Sequence, residues 1–456
     1  MTWRLTELAD AAGGRLAGGD GDTVVAGVGT DSRRLAAGEA FVAIRGERFD
    51  GHAFVEDVLG RGAACAVVDE AASVPDGCGP LVVVDDTTLA LGRIAARCRC
   101  ASSIPWIATT GSAGKTTTKE MIAAVASARG DVLKAPSSFN NSIGVPLTIL
   151  GLRECHTAAS VELGTNAPGE IAGLAEIVKP DIAVVTNVGP AHLGRFGSVE
   201  AIAREKAQVL RALRPDGVAV LPADSLQAQT LRAAWPGRTV TFGLAPTADV
   251  RAETVEVRGV AGSRFVTDGV AYEIALPGLG NVRNALAAIA VGDVLGVARE
   301  RGAELLAGVR PMAMRSRVRV GRGFTVIDDC YNANPLSFAS AIEALLLTSP
   351  ASRRWVVAGD MNELGDHAPR LHEELGAKIA RSGAGALLAV GRFSAQLARG
   401  ATEAGMPEVS IQRVPTATEA SDRARRIARD GDVILVKASR AVGLERVVEA
   451  LLDVAG

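Results

Sequence analysis

Several features that mark particular protein classes are scarce in this chain of 456 residues. Aromatic residues make up only 4%, and the 49 basic and 51 acidic side chains nearly balance, giving a net charge of −2. A surface that binds nucleic acid usually combines a basic face with aromatic side chains that stack on bases. We therefore expect no nucleic acid partner, although a few local cations can still bind a small anion.

Long apolar runs and clustered cysteines are also missing. No apolar run approaches the roughly 18 residues that a membrane helix needs, and the residues after Met1 contain no apolar signal core. The six cysteines are scattered without a Cys-x-x-Cys pair, which favours buried free thiols over a metal finger. We expect a cytoplasmic, monomeric protein that does not insert into a membrane.

What the chain does contain is an alternation of strand-like and helix-like segments, which is typical of parallel α/β sheets. We predict three α/β domains over residues 1–102, 103–313 and 314–456. The middle domain carries a β appendage at 240–276, and the last is Rossmann-like but lacks a Gly-x-Gly-x-x-Gly turn. Predicted strands lie at 23–28, 40–44, 63–68, 81–84, 104–109, 158–161, 181–186, 324–327, 355–358, 386–390 and 433–436. Predicted helices lie at 52–61, 89–100, 116–128, 169–178, 281–295, 337–346, 369–381 and 419–429.

A glycine-rich loop connects a predicted strand to a predicted helix at residues 109–116. The backbone N–H groups of such a loop, with the positive end of the helix, bind phosphate. Lys115 would reach the β and γ phosphates of a nucleotide, and the Thr116 hydroxyl would bind Mg²⁺. Thr109 stands where the general pattern has glycine, so the match is a shortened one. An ordinary glycine turn is the alternative.

Two ionisable residues follow predicted strands of the middle domain. Ligands of open parallel sheets bind beyond the carboxyl ends of the strands, which is where Glu162 and His192 lie. Because Mg²⁺ prefers oxygen ligands, Glu162 suits a metal better than His192, which could bind a second metal or make a water-bridged contact. Taken singly, Glu162 could equally cap a helix and His192 could bond within its loop. Lys206, in a helical segment, by itself indicates a solvated lysine.

Together these motifs resemble the Mur ligases, over residues 31–445. Residues 110–120 resemble the ATP loop of that family, and residues 187–198 resemble its second signature. Asp31, Ser32 and Arg33, with residues 46–52, resemble its N-terminal uridine-nucleotide domain. Residues 328–335 and 359–365 resemble the members that add D-alanyl-D-alanine, and the Asp-Asn-Pro-Arg signature of the diaminopimelate-adding members is absent.

The resemblance implies an enzyme that uses ATP and two Mg²⁺ ions. It implies catalytic roles for Lys115, His192 and Lys206, and a carbamylated side chain at Lys206. The metal ligands that it implies are Thr116, Glu162, His192 and Lys206. The ATP-binding residues that it implies are Thr110, Gly111, Ser112, Ala113, Gly114, Lys115, Thr116, Thr117, Asn281, Arg315 and Asp329.

The resemblance also implies the reaction and its small-molecule partners. We expect ligation of D-alanyl-D-alanine to UDP-N-acetylmuramoyl-tripeptide through an acyl phosphate, in peptidoglycan precursor synthesis. The substrate-binding residues that it implies are Ser32, Arg33, Asp50, His52, Asn140, Asn141, Asn332, Asn334, Lys437 and Ser439.

Some positions depart from the family pattern. Gly280 stands where a histidine commonly precedes Asn281, and Ala167 stands where histidine is frequent. Arg317 could take the role of Arg315 at an unusual hinge. Three alternatives compete with this interpretation. Another ligase of the superfamily, such as a folylpolyglutamate synthetase, does not account for residues 31–52. A nucleotide-dependent switch leaves the third domain without a task, and in a purely structural protein the loop, metal and ribose candidates would be coincidences.

Overall fold

The computed structural model describes residues 2–46, 49–70, 77–321, 323–348 and 353–452. Short strands and helices form the N-terminal region. Its strands are β1 (Trp3–Arg4), β2 (Arg15–Ala17), β3 (Val24–Val25), β4 (Val28–Gly29), β5 (Ala40–Val42), β6 (Cys65–Asp69) and β7 (Leu81–Val84). Its helices are α1 (Leu5–Ala12), α2 (Val55–Gly60) and α3 (Thr87–Cys100).

The middle region alternates strands and helices as predicted, then ends in short strands. Its strands are β8 (Trp106–Thr110), β9 (Asp131–Lys134), β10 (His156–Glu162), β11 (Ile182–Val185), β12 (Val218–Pro222), β13 (Thr239–Gly243), β14 (Val250–Arg251), β15 (Thr254–Val257), β16 (Ser263–Thr267) and β17 (Val270–Ile274). Its helices are α4 (Lys115–Ala126), α5 (Gly144–Leu150), α6 (Glu170–Val178), α7 (Leu193–Phe196), α8 (Val199–Lys206), α9 (Gln208–Arg211), α10 (Ala228–Arg232), α11 (Leu279–Val294) and α12 (Arg299–Ala307).

The C-terminal region is a second alternating α/β segment. Its strands are β18 (Arg317–Gly321), β19 (Phe324–Asp328), β20 (Arg354–Ala358), β21 (Ala386–Val390), β22 (Ile411–Val414) and β23 (Val433–Lys437). Its helices are α13 (Pro335–Leu346), α14 (Ala368–Arg381), α15 (Ser394–Glu403), α16 (Ala417–Ile427) and α17 (Glu445–Leu452). Within the described residues, no helix combines the length and apolar character needed to cross a membrane.

The chain forms two compact units. Unit 1 holds the described residues up to Ala108, together with Gly130–Thr165 and Glu170–Asp181. In it, the N-terminal sheet has the strand order β2-β7-β6-β5-β4. The first residues of β8 belong to another sheet, in which β10 lies next to β8 and β9 next to β10. Strands β4 to β7 pair in parallel, whereas β2 is antiparallel to β7.

A buried arginine fixes the end of α3 in unit 1. Arg99 is 2% exposed, and its guanidinium donates to the carbonyl oxygens of Val178 and Lys179 and to the carboxylate of Asp181. Asp181 also accepts the Trp106 N–H at 2.8 Å. A buried cation is tolerated only when it is paired and hydrogen-bonded, so this network determines how the predicted linker at residues 101–103 leaves the helix.

Unit 2 holds Thr109–Arg129, Asn166–Gly169 and the described residues from Ile182 onward. The end of β8 begins the parallel order β8-β11-β12-β13-β14. The prediction of short strands at residues 240–276 is confirmed, but β13 and β14 extend this parallel sheet. Only β15, β16 and β17 form the separate antiparallel appendage.

The C-terminal sheet of unit 2 is mixed. Its order is β18-β19-β23-β20-β21-β22, in which only β18 is antiparallel to its neighbour. Each strand that is parallel on both sides contains a continuous apolar run, such as residues 433–436 of β23, because helices cover both faces. Strands β18 and β22 were not predicted, since their exposed edge positions break the apolar run.

Candidate active site

The loop between β8 and α4 has the backbone that phosphate binding requires. Gly111 has φ +154°, and a Cβ there would lie 1.8 Å from Thr186 Oγ1. Gly114 has φ +77°, and a Cβ there would lie 2.5 Å from Asn284 Oδ1. Residues with a side chain rarely adopt such backbone conformations. Both glycines are therefore required, by the turn and by the atoms that lie close to it.

Residues 186–189 support this loop from the neighbouring strand. The Ser112 N–H donates to the Asn187 carbonyl, and the Ala113 N–H donates to the Asn187 side chain at 2.8 Å. The Thr186 hydroxyl donates to the Ala113 carbonyl at 2.7 Å, and the Gly189 N–H donates to Ser112 Oγ. Because two loop N–H groups are used internally, the first turn of α4 is the part of the motif best placed to bind phosphate.

The side chains at the start of α4 lie close to the loop. Lys115 Nζ donates to the Gly111 carbonyl at 3.0 Å, which folds the lysine back over the loop. Thr116 is 1% exposed and directly follows Lys115 in the first turn. Thr110 ends β8, and Thr117 continues the helix. The structure thus brings all eight predicted loop residues together around one helix N-terminus.

Lys206 is buried at the end of α8, contrary to what its local sequence indicates. It is 2% exposed, and its ammonium makes no hydrogen bond or ion pair in the part of the chain that the structure describes. Burial holds the pKa of Lys206 well below its usual range, and the positive charge of Lys115 lowers it further, while Glu205 opposes both. Glu205 itself accepts the Gly169 N–H at 2.8 Å. The neutral amine form is therefore easier to reach for Lys206 than for a lysine on the surface.

His192 contacts the C-terminal region. It precedes α7 with φ +57°, and its Nδ1 contacts the carboxylate of Glu363. The Glu363 carbonyl accepts the Gly194 N–H at 2.9 Å. The close contact with His192 lowers the pKa of Glu363, against the opposing effect of burial. Glu363 lies in the predicted 359–365 signature, but its contact with His192 was not predicted.

The start of α11 faces the same loop. Asn281 Nδ2 donates to the Pro277 carbonyl, and Asn284 Nδ2 donates to Asn281 Oδ1 at 3.1 Å. Asn284, which lies against Gly114, was missed by the sequence analysis, although its i, i+3 spacing from Asn281 was a usable signal. A Cβ at Gly280 would lie 2.2 Å from Ser340 Oγ, which explains why a histidine does not fit there.

The predicted ATP residues of the C-terminal region form one linked group. Asp329 Oδ1 accepts the Ser316 N–H at 2.8 Å, and Asp329 Oδ2 pairs with Lys437 Nζ at 2.5 Å. The Arg315 guanidinium stacks on the Tyr331 ring, 3.9 Å from its centroid. Lys437 is 2% exposed, so its position next to Asp329 is internal, and its predicted role toward the dipeptide stays a prediction.

Other predicted substrate residues of this region hold loops in place. Asn334 caps α13 through the Ser337 N–H, and its Nδ2 donates to the Ser112 carbonyl at 3.0 Å. The Asn332 carbonyl accepts from Lys437 Nζ. Ser439 Oγ accepts the Asn362 N–H at 2.8 Å. The structure gives these residues structural contacts, and their substrate contacts stay predictions.

Within unit 1, Asn140 and Glu162 are in contact. Glu162 was predicted to follow the strand but is the last residue of β10, 1% exposed. Asn140 Nδ2 donates to Glu162 Oε1 at 2.7 Å. Asn141 Oδ1 accepts the N–H groups of Ile143 and Gly144 before α5. No group of three or more His, Cys, Asp or Glu side chains is placed to hold a metal ion within the described residues.

The predicted nucleotide-sugar residues of the N-terminal region are fixed by local contacts. His52 Nδ1 lies 2.6 Å from Asp50 Oδ1, and its Nε2 accepts the Asp69 N–H at 3.1 Å, so both ring nitrogens are used internally. The Arg33 side chain bonds to Asp31 and lowers the pKa of that carboxyl to about 2. The Ser32 carbonyl accepts a hydrogen bond from the side chain of Arg61. Glu47 and Arg48 of this motif lie outside the described residues.

A phosphate loop on a parallel sheet, with a buried lysine beside it, defines a nucleotide-dependent enzyme of the α/β class. The chain belongs to the Mur ligase family of ATP-dependent ligases, which acts in peptidoglycan synthesis. Residues 24–99 match the description "Mur ligase family, catalytic domain", residues 109–292 match "Mur ligase middle domain", and residues 314–440 match "Mur ligase, glutamate ligase domain". The predicted fold class of three α/β domains is confirmed.

The chain is also similar to individual proteins of this family. The UDP-N-acetylmuramoyl-tripeptide–D-alanyl-D-alanine ligase of Synechocystis sp. is 39% identical over 93% of this chain and 91% of its own. The crystal structure of MurF from Acinetobacter baumannii superposes with a TM-score of 0.90 and 32% identity, covering 99% of both chains. MurF from Thermotoga maritima in complex with ADP gives a TM-score of 0.80 and 29% identity, over 93% of this chain and 96% of that one.

Proposed function

We propose that this chain joins D-alanyl-D-alanine to UDP-N-acetylmuramoyl-tripeptide while ATP is split to ADP and phosphate. The similarity to ligases named for that reaction supports the choice of substrates. The geometry of residues 110–117, with Lys115 folded over the loop, is the observation that carries the nucleotide-dependent step. The domain limits 1–102, 103–313 and 314–456, a monomeric state and a cytoplasmic location belong to this proposal.

The chemistry proceeds by two displacements. The terminal carboxylate of the tripeptide attacks the γ-phosphorus, the bond to the β-phosphate oxygen breaks, and ADP leaves. The amine of the dipeptide then attacks the acyl carbon, expels phosphate, and loses a proton as the amide forms. Catalysis of this kind depends on positioning and on charge neutralisation. The first turn of α4 and the Lys115 ammonium supply the positive field that draws a carboxylate toward a polyphosphate.

Further residues would position the nucleotide. Asn281 and Asn284 lie together at the start of α11, beside Gly114, and we assign them to the adenine side. Arg315 and Asp329 lie at the start of the C-terminal region and are assigned to the phosphate and ribose. The Asn334 contact with Ser112 ties this region to the phosphate loop.

The donor set around the loop fits Mg²⁺. The buried Thr116 hydroxyl is an oxygen donor at the position where a phosphate loop binds this ion, and we assign His192 to a metal role at the neighbouring loop. When bound, Mg²⁺ supplies charge neutralisation of the phosphates. In unit 1, the buried Glu162 carboxylate has the chemistry of a Mg²⁺ ligand, and its metal role also belongs to the proposal.

Lys206 fits such a site only after modification, because an ammonium group offers three donors and no acceptor. Its burial without a hydrogen-bond partner and its lowered pKa favour the neutral amine, which is the form that reacts with carbon dioxide. We propose that Lys206 is carbamylated, which replaces a buried cation by an oxygen-donor anion. The variant Lys206→Ala should be inactive and should recover activity with a short carboxylic acid.

Phosphate release tests the proposed function. Release should require both UDP-N-acetylmuramoyl-tripeptide and D-alanyl-D-alanine, and Lys115→Ala should abolish it because the γ-phosphate loses the ammonium group of the loop. Release with neither substrate would indicate a nucleotide-dependent switch, and a fully active Lys115→Ala enzyme would refute the assignment of the loop.

A further inference from the structure

The loop after β20, residues 359–365, brings a carboxylate from the C-terminal region to the middle region. Its tip residue Glu363 has φ +65°, a left-handed conformation that non-glycine residues rarely adopt. His192, on the other side of the contact, has φ +57°. Backbone strain on both sides of one side-chain contact persists only where the surrounding structure enforces it, and such strain concentrates at functional sites.

The loop is fixed firmly to its own region. The Met361 N–H donates to His372 Nε2 at 2.9 Å, and the Asn362 N–H donates to Ser439 Oγ at 2.8 Å. The Ser439 N–H donates to the Asp360 carbonyl at 2.9 Å. His372 is fully buried, and burial lowers its pKa, which keeps the ring neutral and its Nε2 an acceptor. The position of Glu363 is therefore determined by the C-terminal sheet.

At the tip of the 359–365 loop, the backbone of Glu363 and Gly365 lies against the backbone of Gly194. The Gly194 N–H donates to the Glu363 carbonyl at 2.9 Å. A Cβ at Gly194 would lie 2.8 Å from the Gly365 nitrogen, and a Cβ at Gly365 would lie 2.7 Å from Gly194 Cα. Only glycines at both positions permit this approach, and the approach is what brings the carboxylate of Glu363 to His192.

The contact has a consequence for the imidazole. The carboxylate of Glu363 lies against Nδ1 and limits how the ring can turn, which leaves Nε2 as the nitrogen available to a ligand. Loss of a carboxylate that orients a metal-binding histidine typically lowers metal affinity 10- to 100-fold.

We propose that Glu363 is a positioning residue for His192, and that docking of the 359–365 loop against Gly194 prepares this histidine to bind the divalent cation that accompanies the nucleotide. The C-terminal region thereby controls metal affinity in the middle region. The proposal rests on the proposed function for the metal role of His192, but not on the identity of the amine or carboxylate substrates.

Calorimetric binding of ADP, with and without Mg²⁺, tests the proposal without any turnover. For Glu363→Ala we expect the affinity for ADP without Mg²⁺ to be unchanged. Mg²⁺ should still tighten the binding of ADP, but the Mg²⁺ concentration needed for this effect should be about 10- to 100-fold higher than in the parent chain. Asp366→Ala is the matched control, because this exposed carboxylate directly follows the loop and makes no side-chain hydrogen bond or ion pair within the described residues. It should bind Mg²⁺ and ADP as the parent chain does.

Gly194→Ala tests the docking from the other side while keeping both charged groups. It should raise the Mg²⁺ requirement as Glu363→Ala does, because the new Cβ displaces the Gly365 backbone. Parent-like Mg²⁺ dependence in Glu363→Ala, or the same loss in Asp366→Ala, would overturn the proposal. If Glu363→Ala does not fold, parent-like Mg²⁺ dependence in Gly194→Ala would overturn it. Because ADP and Mg²⁺ are the only ligands, failure of the proposed substrates would appear separately, as absent phosphate release by the parent enzyme.

Discussion

Replacing Lys206 by methionine should make the protein more stable than a parent protein whose Lys206 is unmodified, and at the same time inactive. Methionine has a similar length and removes the charge, so the substitution isolates the cost of burying an ammonium group. That group is 2% exposed and has no hydrogen-bond partner within the described residues. A residue retained at a cost in stability is expected where function needs it.

The size of the effect follows from the burial. Replacing buried charged groups by apolar side chains of similar volume is often neutral or stabilises a protein by about 1–4 kcal/mol. The Lys206 ammonium belongs at the upper part of that range, because Lys115 repels it and only Glu205 offsets the repulsion. Since about 1.4 kcal/mol corresponds to a factor of ten in an equilibrium constant, a gain of about 3–4 kcal/mol means that α8 should open roughly 100 to 1000 times less often in the variant.

The gain should depend on pH in a defined direction. The pKa of Lys206 is lowered in the folded state from the usual lysine value of 10.5, so the unfolded chain binds more protons and the stability of the parent protein rises with pH. The advantage of the variant should therefore be largest at pH values below the folded-state pKa. It should decline between that pKa and the unfolded value and vanish above the latter.

Hydrogen exchange of the α8 amides is the suitable assay, because a chain of several domains does not unfold in one two-state step. The control is Lys378→Met on α14, where the lysine is exposed and the change should stay within about 0.5 kcal/mol. If Lys206→Met exchanges faster than the parent protein at neutral pH, the lysine is stabilised by its surroundings and the reasoning is wrong.

Two further substitutions test the loop and the linker. Gly111→Ala should destabilise unit 2 by about 2–4 kcal/mol and abolish ATP binding, because the new Cβ displaces Thr186 and the backbone becomes strained. Gly302→Ala in α12 adds a Cβ in open space and should be neutral or stabilising by up to about 1 kcal/mol; equal ATP affinity in both variants would contradict this account. Asp181→Ala should lower the free energy of opening α3, measured by hydrogen exchange of its amides, by about 3–5 kcal/mol, because Arg99 keeps a buried charge without its carboxylate; a loss under 1 kcal/mol would show that the backbone carbonyls suffice.

Local sequence patterns predicted the regular part of the fold well. Continuous apolar runs predicted β21 (Ala386–Val390) with the correct bounds, and β8, β19 and β23 to within about two residues. Strand β9 (Asp131–Lys134) was not predicted, because charged residues at both of its ends interrupt the apolar pattern. The division of residues 240–276 between two sheets was also not predicted, because each short strand has the same composition whichever sheet it joins.

The residues of the candidate site also divide into those that the local sequence predicted and those that it did not. The glycines and Lys115 of the phosphate loop were evident, because close backbone approach and phosphate charge demand those residues at that spacing. The importance of Asn284 and Glu363 was not, because each depends on a partner more than 70 residues away along the chain, Gly114 in one case and His192 in the other.

By itself, the sequence determined the α/β class, the phosphate loop and the family, since these follow from periodicity and from short-range spacing. Only the tertiary structure decided the environment of each charged side chain. Lys206 has the local sequence of a solvated helix residue, yet packing removes it from water and shifts its pKa. Lys437 and His52 were predicted as substrate contacts, yet their polar atoms are bonded within the protein. Burial and partner charges depend on residues distant in the sequence, so no local pattern contains them.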